Sequence, residues 1–416
     1  MIAALTLLVG EWIKVKGGRL GAFSPPFYAH WYPYVGALAP VAFVALASAA
    51  VAAPHWVRRV RQPVIFAGGL YLLAVALGLS LNISRGGVHD LWAVFKTGPG
   101  GSLEAYQEYL PGLPALSHGI GYYVGHFPQL IPSLPIHVKG NPPGPLVLLH
   151  LLGIDTAQGL AALCIGIGAL TAPLAYDLGR TLQGEERGRI AGVLTAFSPA
   201  LLLCGVTSAD YAFAALGLAG ACLLIRRGAL PRATGAAVAA LATFFSWLLV
   251  AIPVWAVLVV LRRGGLRRAL TLTLLCLIAG LGLYGALALV LGYDPFAAVR
   301  ATATAYHQGI ARVRPYAYWL FGSPTAWWIG LGLPIGWLAL RSAATREPAA
   351  LALFAIVVAS SILGLTKAET ERIWLPFVPL ACLAAAAVLP GRRLPIVLWL
   401  LVVQALAIEL LFDTVW

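Results

Sequence analysis

Carboxylates at the edges of apolar runs are the side chains best placed to do chemistry in this sequence. Glu104 and Glu108 stand four apart where Leu103, Tyr106, Tyr109 and Leu110 recur at helical spacing. On an amphipathic helix the two acids share one face, so repulsion and partial burial would raise one pKa and fit that group to act as a base. Two solvated acids on a surface helix would give the same pattern. Asp90, after His89, lies nearer the preceding apolar run and is a rival base. His137, Lys139 and Asn141 precede Pro142-Pro143-Gly144-Pro145, where proline and glycine fix an extended turn able to present them to a lipid head group. A helix-start device would have the same composition. Arg312 and Arg314 interleave with Tyr316, Tyr318 and Trp319, which suits a phosphate beside a sugar or isoprenoid and equally suits anchoring at a membrane interface. Lys367, Glu369, Glu371 and Arg372 put four charges into six residues just before an apolar run, and burying both signs there favours a site.

The elements that must position these groups are membrane spans. Hydrophobic residues make up 60% of the 416 and charged residues only 10%, against about a quarter in soluble proteins. Apolar runs bounded by charge fall near 36–54, 63–82, 156–178, 190–206, 211–225, 233–247, 248–261, 269–291, 325–340, 348–364, 373–390 and 395–411. Most are close to the roughly 20 residues that cross a hydrocarbon core as helix. The expected fold is therefore an all-α, polytopic membrane bundle of twelve spans forming one integral-membrane domain, with no separate soluble domain. Residues 1–13 are apolar but short for a span, and read as a short or tilted extra helix rather than a cleaved signal peptide.

Arginine gives the orientation. Arg58, Arg59 and Arg61; Arg180, Arg187 and Arg189; Arg226, Arg227 and Arg232; Arg262, Arg263, Arg267 and Arg268; Arg341 and Arg346; and Arg392 and Arg393 follow every second span. The positive-inside rule puts these connectors in the cytoplasm and the long 83–155 and 292–324 connectors outside. The net charge of +13 thus reads as a topology signal, and nucleic-acid binding is discarded. Asp90, Glu104, Glu108, Asp155, Asp210, Asp294, Glu369 and Glu371 all fall at the outer face, whereas only Glu185, Glu186 and Glu347 fall in cytoplasmic connectors. The 83–155 connector far exceeds the two to eight residues usual between packed helices, which points to binding or catalysis. Its apolar stretches are expected to lie flat on the membrane surface. The five cysteines are scattered singly through apolar runs and read as core residues.

Glu108-Tyr109-Leu110, the Pro142-Pro143-Gly144 turn after His137-Val138-Lys139-Gly140, Thr207-Ser208-Ala209-Asp210, Arg314-Pro315-Tyr316-Ala317-Tyr318 and the run from Lys367 to Pro376 together resemble actinobacterial members of the GT-C superfamily. These are multi-spanning glycosyltransferases that use polyprenyl-phosphate sugars. The resemblance runs from about residue 63 to 390. It implies an outer-loop acid, here Glu108, as general base on a glycan, lipid or protein acceptor. It also implies Asp210 as an acid at the outer end of an early span, and Lys367 and Arg372 as holders of the lipid-linked phosphate. Gln107 stands where a second acid is common, which puts a paired-acid mechanism in doubt. Asn141 replaces the His of a His-Pro-Pro-Gly turn, which argues against a metal ligand there.

Cations that stabilise the departing phosphate make protonation of the leaving group unnecessary, so one base and a basic cradle suffice. A single displacement would invert the sugar carbon. No cofactor is implied, and a divalent metal is compatible but not required. The implied partners are a polyprenyl-phosphate-sugar donor, its acceptor and membrane lipids, with the active site facing outside a cell membrane. A transporter or lipid-linked-glycan flippase is the alternative, although such folds commonly carry repeated halves and charges near mid-membrane. A non-catalytic assembly partner is a third reading.

Overall fold

The computed structural model describes residues 2–364 and 366–414. Almost all regular structure is helical, and one continuous apolar core runs from Phe27 to Ile408. Among the described residues six helical stretches are long and apolar enough to cross a membrane: Ala39–Arg59, Pro63–Asn82, Ala157–Gln183, Trp247–Gly264, Leu266–Leu291 and Gly391–Leu411. A seventh is gained if Leu333–Ala344 and Pro348–Leu363, bent by 111° at their junction, count as one. This is the architecture of a multi-pass membrane bundle.

The remaining expected spans are built from shorter pieces, so helix length alone does not give twelve. The 190–206 run divides into Glu185–Phe197 and Pro199–Cys204, and the 325–340 run into Tyr316–Leu331 and Leu333–Ala344. The breaks have local causes. Ser198 precedes proline and is pushed into extended backbone, while Gly332 takes φ 106°, which only glycine adopts freely. Backbone groups freed by a break in an apolar medium must find partners. Ser198 Oγ donates to Leu331 O at 2.9 Å, Gln404 Nε2 donates to Ile329 O at 2.6 Å, and the Leu333 N–H donates to Gln404 Oε1 at 2.9 Å. The helix Ile2–Val15 spans about 21 Å at 1.5 Å per residue, short of a hydrocarbon core.

The arginine-rich connectors gather at one end of the bundle, as their spacing suggests. Arg189 donates to the carbonyls of Val57, Val60 and Arg61, and Arg187 to those of Ala386 and Leu389. Arg226 pairs with Asp177 at 2.8 Å and Arg263 with Glu347 at 3.0 Å. This end is the arginine face.

At the opposite end, the acid face, residues 83–155 form short helical pieces rather than one amphipathic helix. Leu103–Gln107 and Leu110–Leu116 are 3₁₀ turns, the second carrying Pro111 and Pro114, which cannot continue an α-helix. Val94, Phe95, Ala105, Tyr109, Leu116, Tyr123 and Phe127 are buried in protein, so this connector packs onto the bundle. Residues 20–38 form a strap over the same face. Its strand His30–Trp31 pairs antiparallel with Phe412–Asp413. Arg85 locks that end, donating to Glu409 O at 2.7 Å, Phe412 O at 3.1 Å and Tyr32 O at 3.0 Å. The other end is held by Trp319 Nε1, which donates to Leu20 O at 3.0 Å.

Candidate functional site

The acid face encloses a chain of interlocked charges drawn from five stretches of sequence. Glu108 ends the first 3₁₀ turn with extended backbone, and its side chain is 1% exposed. Its Oε1 lies 2.7 Å from His137 Nδ1. His137 Nε2 is 3.5 Å from an Arg372 guanidinium nitrogen, and the same guanidinium donates to Asp210 Oδ2 at 2.6 Å and Glu369 Oε2 at 3.1 Å. Glu369 Oε1 in turn accepts from Arg314 at 2.5 Å. Arg314 also donates to Lys367 O at 2.6 Å and Gly21 O at 3.3 Å, with its guanidinium carbon 5.7 Å from the Tyr28 ring centroid. Ser208 caps the following helix and donates to Asp210 Oδ2 at 3.1 Å. All six ionisable side chains of this chain are buried.

Alternating signs make such burial tolerable, since an unpaired buried charge is strongly disfavoured. Burial by itself would raise the pKa of Glu369, but the guanidiniums of Arg314 and Arg372 outweigh it and hold the carboxyl at about 2. Glu371 behaves oppositely. Burial pushes it up to about 7, and the charge of Glu369 adds to the rise. Its Oε1 accepts from the Tyr28 N–H at 2.8 Å. A space of about 10 Å³, the size of one water, lies beside it among Phe27, Ala200, Leu203 and Cys204. Glu108 Oε2 and Glu371 Oε2 are buried without a hydrogen-bond partner among the described residues.

Several expectations change. Glu104 and Glu108 do not share a helix face: Glu104 is half-buried, and Glu108 lies beyond the turn. Burial raises the pKa of Glu104, with Glu369 contributing further. Tyr106, one of the residues at helical spacing, is 57% exposed and gives Glu108 no burial of the kind Tyr109 does. His137 and Lys139 sit on a short helix, Ile136–Gly140, rather than in an extended turn, and extended backbone begins at Asn141. His137 is buried and not offered to a head group, and Asn141 donates inward to Tyr109 Oη at 3.0 Å. Lys139 and Lys367 are half-buried and Arg312 is exposed, with no ion pair formed by any of the three among the described residues. Tyr316 is 45% exposed and donates to Ile362 O at 2.6 Å.

Asp90 belongs to a different cluster. Its Oδ2 accepts from the Gly86 N–H at 2.5 Å, in the segment that Arg85 ties to residues 409–412. Burial raises its pKa, opposed by that hydrogen bond and by His89 and Arg85. The strap was missed by sequence reasoning, although Phe23, Phe27, Tyr28, Trp31, Tyr32 and Tyr34 crowd it with aromatic rings, of which Phe27 is buried while Trp31, Tyr32 and Tyr34 are exposed.

Beside the charged chain lies an apolar cavity of about 180 Å³, bounded by Leu148, Leu160, Ile167, Phe213, Leu216 and Leu241. Tyr109 and Ala209 line its wall, and their chain neighbours Glu108 and Asp210 belong to the charged network. All five cysteines are free, four of them buried, and among the described residues no group of three or more His, Cys, Asp and Glu side chains could hold a metal ion. No protein-family model matches the chain, and no curated protein matches it.

Proposed function

We propose that this chain is a membrane glycosyltransferase of the GT-C type, moving a sugar from a polyprenyl-phosphate donor to an acceptor at the extracytoplasmic face. The observation that carries the reading is Glu108: a buried carboxylate with one oxygen engaged by His137 and the other without a hydrogen-bond partner among the described residues, one residue from the wall of an apolar cavity. A group that is to take a proton needs such an open acceptor within reach of the acceptor hydroxyl. The cavity suits part of an isoprenoid chain, being apolar and adjacent to charge. In this reading the shorter and broken helices complete twelve crossings, and the acid face points outside.

Of the two cations first expected at the phosphate, this reading keeps Lys367 and replaces Arg372. Arg372 and Arg314 are engaged by Asp210 and Glu369, so they hold the carboxylate scaffold. Lys367, whose backbone is fixed by Arg314 and by the Tyr306 hydroxyl, and Lys139 are the cations left for the donor. Attack by the deprotonated hydroxyl on the sugar carbon releases polyprenyl phosphate and inverts that carbon.

Glu108→Gln keeps shape and removes the basic oxygen, so sugar transfer from a radiolabelled polyprenyl-phosphate sugar should fall by about 10²–10⁴-fold with the fold intact. Glu104→Gln and Asp90→Asn serve as controls. Loss in Asp90→Asn with full activity in Glu108→Gln would move the base to Asp90. Full activity in all three would mean that none of these acids is the base, whereas absence of transfer by the wild type would favour a transporter or flippase. Cysteine labelling at Ser102 and Gly265 should report opposite sides of the membrane, and same-side labelling would remove the outward orientation.

A further inference from the structure

Glu108 and Tyr109 are clipped side by side to the Ile136–Gly140 turn. One rung is the 2.7 Å approach of His137 Nδ1 to Glu108 Oε1, and the other is the bond from Asn141 Nδ2 to Tyr109 Oη at 3.0 Å. Asn141 Nδ2 also donates to His137 O at 3.1 Å, so the turn that carries the imidazole is tied to the same rung. On its far side the imidazole faces Arg372, which two carboxylates hold in place. The 2.7 Å approach is a charged contact, and because two lone pairs that close would repel, we place a proton between Nδ1 and Oε1. Glu108 Oε1 is therefore committed, and Oε2 is left as the accepting oxygen.

We propose that His137 is a positioning residue for Glu108. It fixes the rotation of the carboxylate so that Oε2, and not Oε1, meets the acceptor hydroxyl, and it transmits the rigid Arg372 anchor to that group. The role rests on Glu108 being the base. It differs from the head-group contact expected of His137 from its sequence context, since the ring is 8% exposed and turned inward. Glu104, Cys164, Asp210, Glu369, Arg372 and the Tyr109 phenol are titratable or charged groups near the pair, and none replaces the imidazole at Oε1.

The test uses the full-length protein in detergent, labelled with ¹⁵N-histidine. A strongly deshielded N–H proton should appear on one ring nitrogen, vanish in His137→Gln and move upfield in Glu108→Gln. Absence of that signal in the wild type overturns the proposal without recourse to any donor. With radiolabelled polyprenyl-phosphate mannose as probe, His137→Ala should lower kcat about 10²-fold with KM unchanged, the size expected when a reacting group is misplaced by about 1 Å. His137→Asn, whose amide can donate from near the Nδ1 position, should restore most of the loss. Wild-type kcat in His137→Ala together with an inactive Glu108→Gln would overturn the positioning role and leave the base in place. Full transfer by Glu108→Gln would remove the base, while the NMR signal would still decide whether the pair exists.

Discussion

The two ends of the bundle differ in how deeply they bury the carboxylates that pair with arginine: Glu185, Asp177 and Glu347 at the arginine face are partly exposed, whereas Asp210 and Glu369 at the acid face are buried. At the arginine face, Arg187 and Arg189 donate into backbone carbonyls at the ends of neighbouring helices, groups that would otherwise lack partners. At the acid face, Arg372 is held by Asp210 and Glu369, Arg314 by Glu369 and two carbonyls, and two acids of that region, Glu108 and Glu371, each keep an oxygen without a hydrogen-bond partner among the described residues. One end uses charge as a fastener for helices. The other uses charge to hold more charge, with accepting capacity left over, and that surplus separates a reactive site from a structural one.

The comparison can be broken most decisively at Arg372. Arg372→Ala leaves Asp210 buried without its cation and should cost about 3–5 kcal/mol, read as a large fall in thermal unfolding temperature in detergent. An unchanged midpoint would mean that the acid-face network does not hold the fold. Glu371 should show a pH-dependent effect of nearly that size. Its folded pKa of about 7 lies above the ordinary 4.5, so its stabilisation is fully present below pH 4.5 and is lost as pH rises through 7. Glu371→Gln should accordingly unfold like the wild type at pH 4.5 and be more stable at pH 8, by about 3 kcal/mol for a shift of this size. Parallel curves at both pH values would contradict the buried-acid assignment.

Arg189→Ala tests the other end. Loss of charge-assisted bonds to three carbonyls should destabilise by about 1.5–3 kcal/mol while leaving sugar transfer per folded molecule unchanged. A loss of turnover without loss of stability would dissolve the division between the faces. The smallest structural effect belongs to Lys367→Ala. A side chain with no ion pair should change stability by less than about 0.5 kcal/mol, while the donor concentration needed for half-maximal transfer should rise. Unaltered donor dependence would place the phosphate elsewhere.

The arginine face was legible in the sequence because its arginines occur in short clusters after every second apolar run, a pattern that survives any detail of packing. Helix continuity was not. Ser198-Pro199 and Gly332 interrupt runs that are apolar throughout, and a hydropathy window does not register backbone geometry. The helix reading of 103–110 took period alone as its guide, while Pro111 and Pro114 just beyond it set a 3₁₀ path that turns Tyr109 into the core and leaves Leu103 85% exposed. Glu108 was singled out by a short motif. Its pairing with His137 joins residues 29 apart through folds of the loop that no local pattern encodes.

The Arg85 lock also bears on the order in which the molecule is made. A ribosome releases residue 85 more than three hundred residues before Glu409 and Phe412, whose carbonyls it grips. The strap strand His30–Trp31 waits still longer for Phe412–Asp413. Until residue 409 is made, therefore, the roof over the buried charges can be fastened only towards its Leu20 end, by Trp319, Arg314 and Glu371. A nascent chain arrested before residue 409 would hold every member of the charged network yet lack its closure, so the completed site is one of the last events of biosynthesis rather than a product of sequential helix insertion.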